Sequence, residues 1–474
     1  MIWSISWKNV WRNKKRSLIV IGAVLLGTVA GVFTSGIMKG WVHQRIETVI
    51  YTEISHLKIH HPDYLLNEEI GYTIPKIDAV ENYLSSNPKV KAFSKRIKMM
   101  VMANTSRGNT ALMLQGINVN DEMDVSKLYT KMVAGGGNYF ETGLSNPIVL
   151  SDKTAELLRI KNYLINQDVL DSLTKLDVPP SVLTKLAPLE KERFKTEKLY
   201  KTALKNILNK KENKKYGQSI LAASVHYRLR NKVILTFNDC KGKLVYQAFK
   251  VCGIFKTTDT MFDQMNAYVL QNDLASVAGF GDNSYHEMAI ITNEDVDVDQ
   301  LKAEIKTAFP DLSVLSWKDL SPDSAMMSEF MDIWYMVIMG IILFALAFGI
   351  INTMMMAILE RVKELGMLMA IGMNKKRIFA MIMLETVFLT LVGAILGMGL
   401  GAVLIQITGH TGLHFSSVSE GLEAIGYSAV IYPQIDAGFF FLVTLLVIAT
   451  GILASISPAR KALKLNPVEA IRTE

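Results

Sequence analysis

Four apolar stretches, at residues 18–38, 333–359, 378–407 and 437–456, constrain this chain more than anything else in it. About twenty apolar residues, at 1.5 Å of rise each, cross a bilayer, and every one of these stretches reaches that length. A segment in lipid must satisfy its own backbone hydrogen bonds, so each is expected to be an α-helix. The first is too long for the apolar core of a cleaved leader and reads as a signal anchor. Between the spans lie a segment of residues 39–332, large enough for its own core, a charged hinge at 360–377 and a loop at 408–436; a tail at 457–474 follows. The expected fold class is an α-helical membrane protein with four transmembrane helices and a large mixed α/β domain between the first and second.

Charge orients these pieces. The formal net charge is +7, but the excess sits beside the spans, which does not support nucleic acid as a partner. Lys8, Arg12, Lys14, Lys15 and Arg16 precede the first span within residues 1–17, where no acid occurs, and the hinge and tail are also basic. Loop 408–436 holds Glu420, Glu423 and Asp436 and no Lys or Arg. By the positive-inside rule both termini and the hinge are expected in the cytoplasm, with 39–332 and the short loop outside. Trp3, Trp7 and Trp11 recur at every fourth position among the leading cations, the pattern of an interfacial helix touching membrane lipids. That helix is either an aromatic belt or a docking face.

The hinge opens with Glu360, Arg361, Lys363 and Glu364, charges of both signs within about one helical turn. Gly366 and Gly372 bracket a Met/Leu/Ala run containing Ala370, which reads as a short amphipathic helix with a glycine corner at each end. It is either a loop that takes force from a partner protein or a plain connector. Glu385 is the one ionisable residue in span 378–407, and a charge there must face other helices or stay protonated. Asn352 in the second span is the neighbour expected for it; helix packing and a proton or substrate path are both open roles. Gly27 with Gly31, and Gly393, Gly397 and Gly401, form small-xxx-small series that imply close helix packing.

In residues 39–332, alternating apolar runs predict strands at 54–60, 90–104, 111–117, 148–150, 232–237, 244–255, 267–270 and 288–292. Helices are expected at 77–85, 152–159, 272–277 and 296–308. Residues 161–227 change character, with Val178-Pro179-Pro180 and a lysine-rich run, and read as an inserted helical hairpin, either solvated decoration or a docking arm. Cys240 at a hairpin tip and Cys252 well down its second strand are roughly 30 Å apart at 3.3 Å per residue, so free thiols are expected. His56, His60 and His61 lack completing Cys or carboxylate ligands, and no metal site is expected. No phosphate-binding Gly-x-x-x-x-Gly-Lys-Ser/Thr loop occurs, and no nucleophile and base stand out, so a non-catalytic subunit is expected, with no cofactor bound by the chain.

Taken together, several motifs resemble bacterial ABC transporter permeases of the MacB, FtsX and lipoprotein-releasing superfamily. They are Trp7-Lys-Asn-Val-Trp-Arg-Asn-Lys-Lys-Arg16, Ile351-Asn-Thr-Met354 leading to Glu360-Arg-Val-Lys-Glu-Leu-Gly366 and Ala370-Ile-Gly372, then Glu385, and a tail with Pro467, Glu469 and Arg472. The resemblance implies a permease in the bacterial inner membrane that dimerises with a second copy or paralogue. It implies cytoplasmic ATPase subunits that hold ATP and Mg, with the hinge as the coupling helix seated on them. It further implies mechanotransmission, in which the periplasmic domain moves as the ATPases close and open. Segments Leu57–Tyr64, Gln115–Ile117 and 135–140 look closer to the lipoprotein-releasing branch, which would add a periplasmic lipoprotein carrier or adaptor as partner. Efflux of drugs or peptides, and regulation of a periplasmic hydrolase as by FtsX-type proteins, are the alternatives. The family pattern lacks an insertion at 161–227, which puts contacts carried over to that region in doubt.

Overall fold

The computed structural model describes residues 2–12, 14–141, 143–190, 192–281, 283–415, 418–435 and 437–463. They divide into two compact units, one holding the chain up to Arg45, Met326–Ser419 and the chain from Ser428, the other Ile46–Ala325 and Glu420–Tyr427. The tail residues Pro467, Glu469 and Arg472 lie outside the described residues.

The first unit is helical. An N-terminal helix, Ile2–Arg12, precedes a long helix, Lys14–Thr48. Pro322–Glu360, Lys375–Thr411 and Ala437–Leu463 are the second, third and fourth long helices, and a short hinge helix, Val362–Ala370, joins the second to the third. All four long helices contain a stretch long and apolar enough to cross a membrane. The expected spans sit inside helices that run several residues beyond them, because the apolar run marks only the lipid-compatible part of a helix. Gly393, Gly397 and Gly401 face the first long helix so closely that an added Cβ would meet Val24 at 2.7 Å, Thr28 at 2.8 Å and Val32 at 2.9 Å. Gly27 and Gly31 face the second, toward Leu346 and Met339. Close backbone approach of this kind is how helices associate without a hydrophobic drive.

The second unit is mixed α/β and built on a 10-stranded sheet. Its strands are β1 (Leu57–His60), β2 (Val90–Asn104), β3 (Asn109–Ile117), β4 (Met132–Gly137), β5 (Pro147–Ser151), β9 (Lys232–Asn238), β10 (Leu244–Phe255), β11 (Asn266–Leu270), β12 (Glu287–Thr292) and β13 (Ser313–Ser316), with β6 to β8 falling in the insertion. Strands β13-β1-β12-β2 run antiparallel, and the helices Ile77–Ser86 and Val298–Ala308 pack on them through Val80, Leu84, Leu301 and Ile305. With its two β-α-β crossings this is a ferredoxin-like layer. The long β2 then continues into a closed ring, β2-β3-β11-β5-β10-β9 and back to β2, whose interior is filled by Val101, Leu112, Ile148, Leu235, Phe249 and Val269. Alternation along β2 serves both layers because inward residues repeat with period two.

The insertion differs from the expected hairpin. β6 (Lys161–Leu164), β7 (Arg193–Phe194) and β8 (Val225–Tyr227) make a three-stranded sheet in the order β7-β6-β8. Helices Gln167–Lys175, Pro180–Leu186, Glu197–Ile207 and Lys210–Ala223 close over it on a core of Tyr163, Leu173, Leu186, Tyr200, Leu204 and Ile220. The lysine-rich run is not one helix, because Thr196 accepts from Leu199 N–H and starts one helix while Asn209 starts another with a capping box. Cys240 is exposed, Cys252 is buried, and both are free thiols.

Candidate functional site: the hinge and its charge chain

The second long helix ends at Glu360, and Arg361 breaks the helical path with φ −110° and ψ 16° before the hinge helix begins. The hinge helix ends at Ala370, and Gly372, at φ +95°, supplies the left-handed corner that a residue with a Cβ adopts with strain. Asn374 then accepts from Lys376 N–H and starts the third long helix. Gly366 is not a corner as expected. It is buried inside the hinge helix, and the first bend falls at Arg361, where the helical hydrogen bonding lapses.

Arg361 is the centre of the hinge. Its Nη1 donates to both carboxylate oxygens of Glu385, at 3.2 and 3.4 Å, and its Nε donates to Glu364 at 3.0 Å. Glu364 also pairs with Arg12, the last residue of the N-terminal helix. A chain of alternating charge therefore runs Arg12, Glu364, Arg361, Glu385 across three elements. Glu385 is buried in a crevice with Met354, Ala357, Ile358, Leu365, Met381 and Ile382, so it has the ion partner that a carboxylate in so apolar a setting requires. Asn352, the neighbour expected for Glu385, is instead exposed on the second long helix. Helical spacing explains the exchange, because Arg361 stands at the break, free of the helix's outward-facing register, and reaches back to the third helix.

The other hinge residues present a surface. Lys363 and Ala370 are exposed, as are Glu360 and Gly372 at its ends. Met367 is 55% and Ile371 78% exposed, an unusual amount of apolar surface beside Lys375, Lys376 and Arg377. Trp3 and Trp7 of the N-terminal helix meet Phe388 of the third long helix edge to face, at 5.6 and 5.4 Å.

A second charged cluster, in the α/β unit, escaped the sequence reading. Glu287 of β12 is fully buried and meets Arg96 at 2.7 Å, Lys98 at 3.0 Å and Lys58 at 3.1 Å. Arg96 also grips Glu122 through two bonds, of 2.7 and 3.0 Å. Burial by itself raises the Glu287 carboxyl, but Lys58, Lys98 and Arg96 outweigh it and hold the group well below the usual carboxylate range. His60 stacks on Tyr64 within the same cluster, and burial pushes its imidazole down to about 4. The signal in the sequence was Ser94, Arg96 and Lys98 at alternate positions of one strand, which puts all three on one face. Among the described residues no group of His, Cys, Asp and Glu is arranged to hold a metal ion.

Residues 336–467 match the family model for the FtsX-like permease C-terminal domain, a stretch that contains the hinge and the third and fourth long helices. This part of the chain is an FtsX-like permease domain, and the homologues of the chain are ABC transporter permeases. The uncharacterized ABC transporter permease MJ1507 of Methanocaldococcus jannaschii is 30% identical over 241 residues, 49% of this chain and 57% of that protein. YknZ of Bacillus subtilis, also an uncharacterized ABC transporter permease, is 24% identical over 235 residues, 48% of this chain and 55% of that protein. The macrolide export ATP-binding/permease protein MacB of Escherichia coli is 32% identical over 126 residues, 27% of this chain and 17% of that protein. The chain thus spans about half the length of the first two relatives and far less of the third. Among solved structures, the extracellular domain of YknZ aligns with a TM-score of 0.29 and 16% identity, over 55% of this chain and 99% of that domain. The periplasmic region of MacB from Actinobacillus actinomycetemcomitans aligns with a TM-score of 0.30 and 12% identity, over 56% of this chain and 91% of that region.

Proposed function

We propose that this chain is the transmembrane permease subunit of an ATP-driven ABC transporter and that it works by mechanotransmission. The hinge is the seat of a separate cytoplasmic ATPase that carries ATP and Mg, and two permease chains, identical or paralogous, form the working pair. The observation that carries this reading is the hinge helix itself: exposed Met367 and Ile371 beside cations, on a helix fixed from behind by the Arg361–Glu385 pair. An apolar knob with a charged rim is what a protein partner needs at a force-bearing contact.

Both termini and the hinge then lie in the cytoplasm, and the α/β unit lies on the outer side of the inner membrane. The cargo is an amphiphile taken from the outer leaflet or the periplasm. Release of lipoproteins, with a periplasmic carrier or adaptor as partner, is supported by the likeness of Leu57–Tyr64 and Gln115–Ile117 to that branch of the superfamily. Export of a small amphiphile is the second reading, favoured by relatives whose names specify macrolide and pyoverdine export.

Affinity purification of the tagged chain from native membranes in mild detergent, with mass spectrometry of what co-purifies, tests this. An ATPase is expected in every preparation. A lipoprotein or its soluble carrier alongside it selects release, an efflux adaptor selects export, and an intact preparation without ATPase overturns the proposal.

A further inference from the structure

We infer that the N-terminal helix is a working part of the hinge, with Glu385 and Arg361 as the positioning residues that tie it in. The inference rests on the reading of the hinge as the ATPase seat. Arg361 lies outside regular helix, so its side chain is aimed by its ion partners rather than by a helical register. Those partners are Glu385 behind it and Glu364 one turn ahead, and Glu364 in turn holds Arg12.

A second set of contacts closes the circuit. Ser6 Oγ donates to the Met381 carbonyl at 3.3 Å, Asn9 Nδ2 lies 3.8 Å from Met381 Sδ, and Trp3 and Trp7 clasp Phe388. Met381, Glu385 and Phe388 are four and seven residues apart, so one face of the third long helix holds both the N-terminal helix and Arg361. The Ser17 hydroxyl donates to the Val10 carbonyl and fixes the passage into the first long helix. A displacement of the hinge that keeps these bonds therefore moves the N-terminal helix and the third long helix together. From the N-terminal helix it enters the first long helix, which leads by chain connectivity, through residues Val49–Ile54, into β1 of the α/β unit. The Arg361–Glu385 pair, whose carboxylate is buried, specifies one geometry even where it adds little stability, while the exposed Arg12–Glu364 pair links the N-terminal helix to it.

Trp3, Trp7 and Trp11 report on this directly. In the full-length chain with Trp41, Trp317 and Trp334 changed to Phe, co-expressed with an ATPase whose tryptophans are changed to Phe and placed in nanodiscs of a tryptophan-free scaffold, tryptophan fluorescence comes from the N-terminal helix alone. Quenching by brominated lipid is read with and without ATP and vanadate, and quenching by acrylamide without nucleotide. In the parent a nucleotide-dependent change in lipid quenching is expected. Arg12→Glu, at an exposed position, should abolish it and raise acrylamide quenching at least twofold, while Arg12→Lys should restore both. Glu385→Gln should abolish the nucleotide response with the ATPase still bound and the melting transition still cooperative, an outcome that mere loss of stability does not produce. Unchanged quenching in both Arg12→Glu and Glu385→Gln overturns the inference. Failure of the parent to retain any ATPase overturns the reading beneath it, and the pull-down alone shows that.

Discussion

Asp263 is a buried carboxyl that contributes to the pH dependence of this protein's stability. Its carboxylate accepts from Thr257 N–H and from Thr257 Oγ, the latter at 2.7 Å, and the side chain is almost wholly buried. Burial pushes its pKa up to about 7, the two Thr257 donors oppose that, and the charge of Asp152 reinforces it. The folded state therefore binds this proton more tightly than the unfolded chain does. The sign follows: stability is full below the ordinary carboxylate pKa and falls as pH rises toward 7. Asp263→Asn keeps an oxygen for Thr257 and removes the charge. It is expected to be indistinguishable from the parent near pH 4 and more stable by roughly 2–4 kcal/mol near pH 8, read as a melting shift of the full chain in detergent. Equal shifts at both pH values would show that the carboxylate titrates normally. Glu287 behaves oppositely, since its depressed pKa makes its contribution present at neutral pH and lost only in strong acid.

At the scale of elements, the strongest sequence signals proved the most legible. Apolar runs with at most one charge placed the long helices, and period-two alternation placed β2, β3, β9, β10 and β12, because both patterns are local. Ring closure by β9 onto β2 was not legible, since it pairs Ile234 with Asn104, residues far apart in the chain. Nor were the strands of the insertion: β7 is two residues long, too short to carry a period, and lysines crowd the sequence around it. At the hinge the charged residues were legible as a group, but their pairing was not, because Arg361 finds Glu385 only after the third helix folds back. The insertion offers a test of independence. It leaves and returns on adjacent antiparallel strands, with Lys161 opposite Tyr227, and has its own core. Lys161 Nζ and Tyr227 Oη both bind Asp152, at 2.7 and 2.5 Å, so the two ends must be kept. Replacing residues 163–225 by an Asn-Gly turn between Asn162 and His226 is expected to leave the ring folded, with the remaining melting transition lowered by no more than ~8 °C. Loss of the cooperative transition would show instead that the insertion braces the ring.

For the whole molecule the question is whether the hinge surface serves assembly or only covers the helix ends. Ile371 is the most informative position, because 78% of its surface is exposed and it follows the last residue of the hinge helix. Ile371 caps the C-terminus of the hinge helix, where a carboxylate opposes the helix dipole by about 0.3–1 kcal/mol, so Ile371→Asp should melt only slightly below the parent if the side chain meets only solvent. Should it instead fill a pocket on an ATPase, a charge there costs the complex at least ~2 kcal/mol, about thirtyfold in affinity. The expected result is therefore a split: a melting curve lowered only slightly for the purified chain together with loss of the co-purifying ATPase. Ile371→Leu, which keeps the apolar contact, should retain the ATPase and shows that bulk and polarity, rather than the presence of a mutation, decide the outcome. Retention of the ATPase by Ile371→Asp would move the seat away from this end of the hinge helix, toward Glu360 and Lys363. The electrostatic chain behind the helix would then act on whatever those residues hold, since Arg361 lies between them and its partner Glu385 is the same in either case.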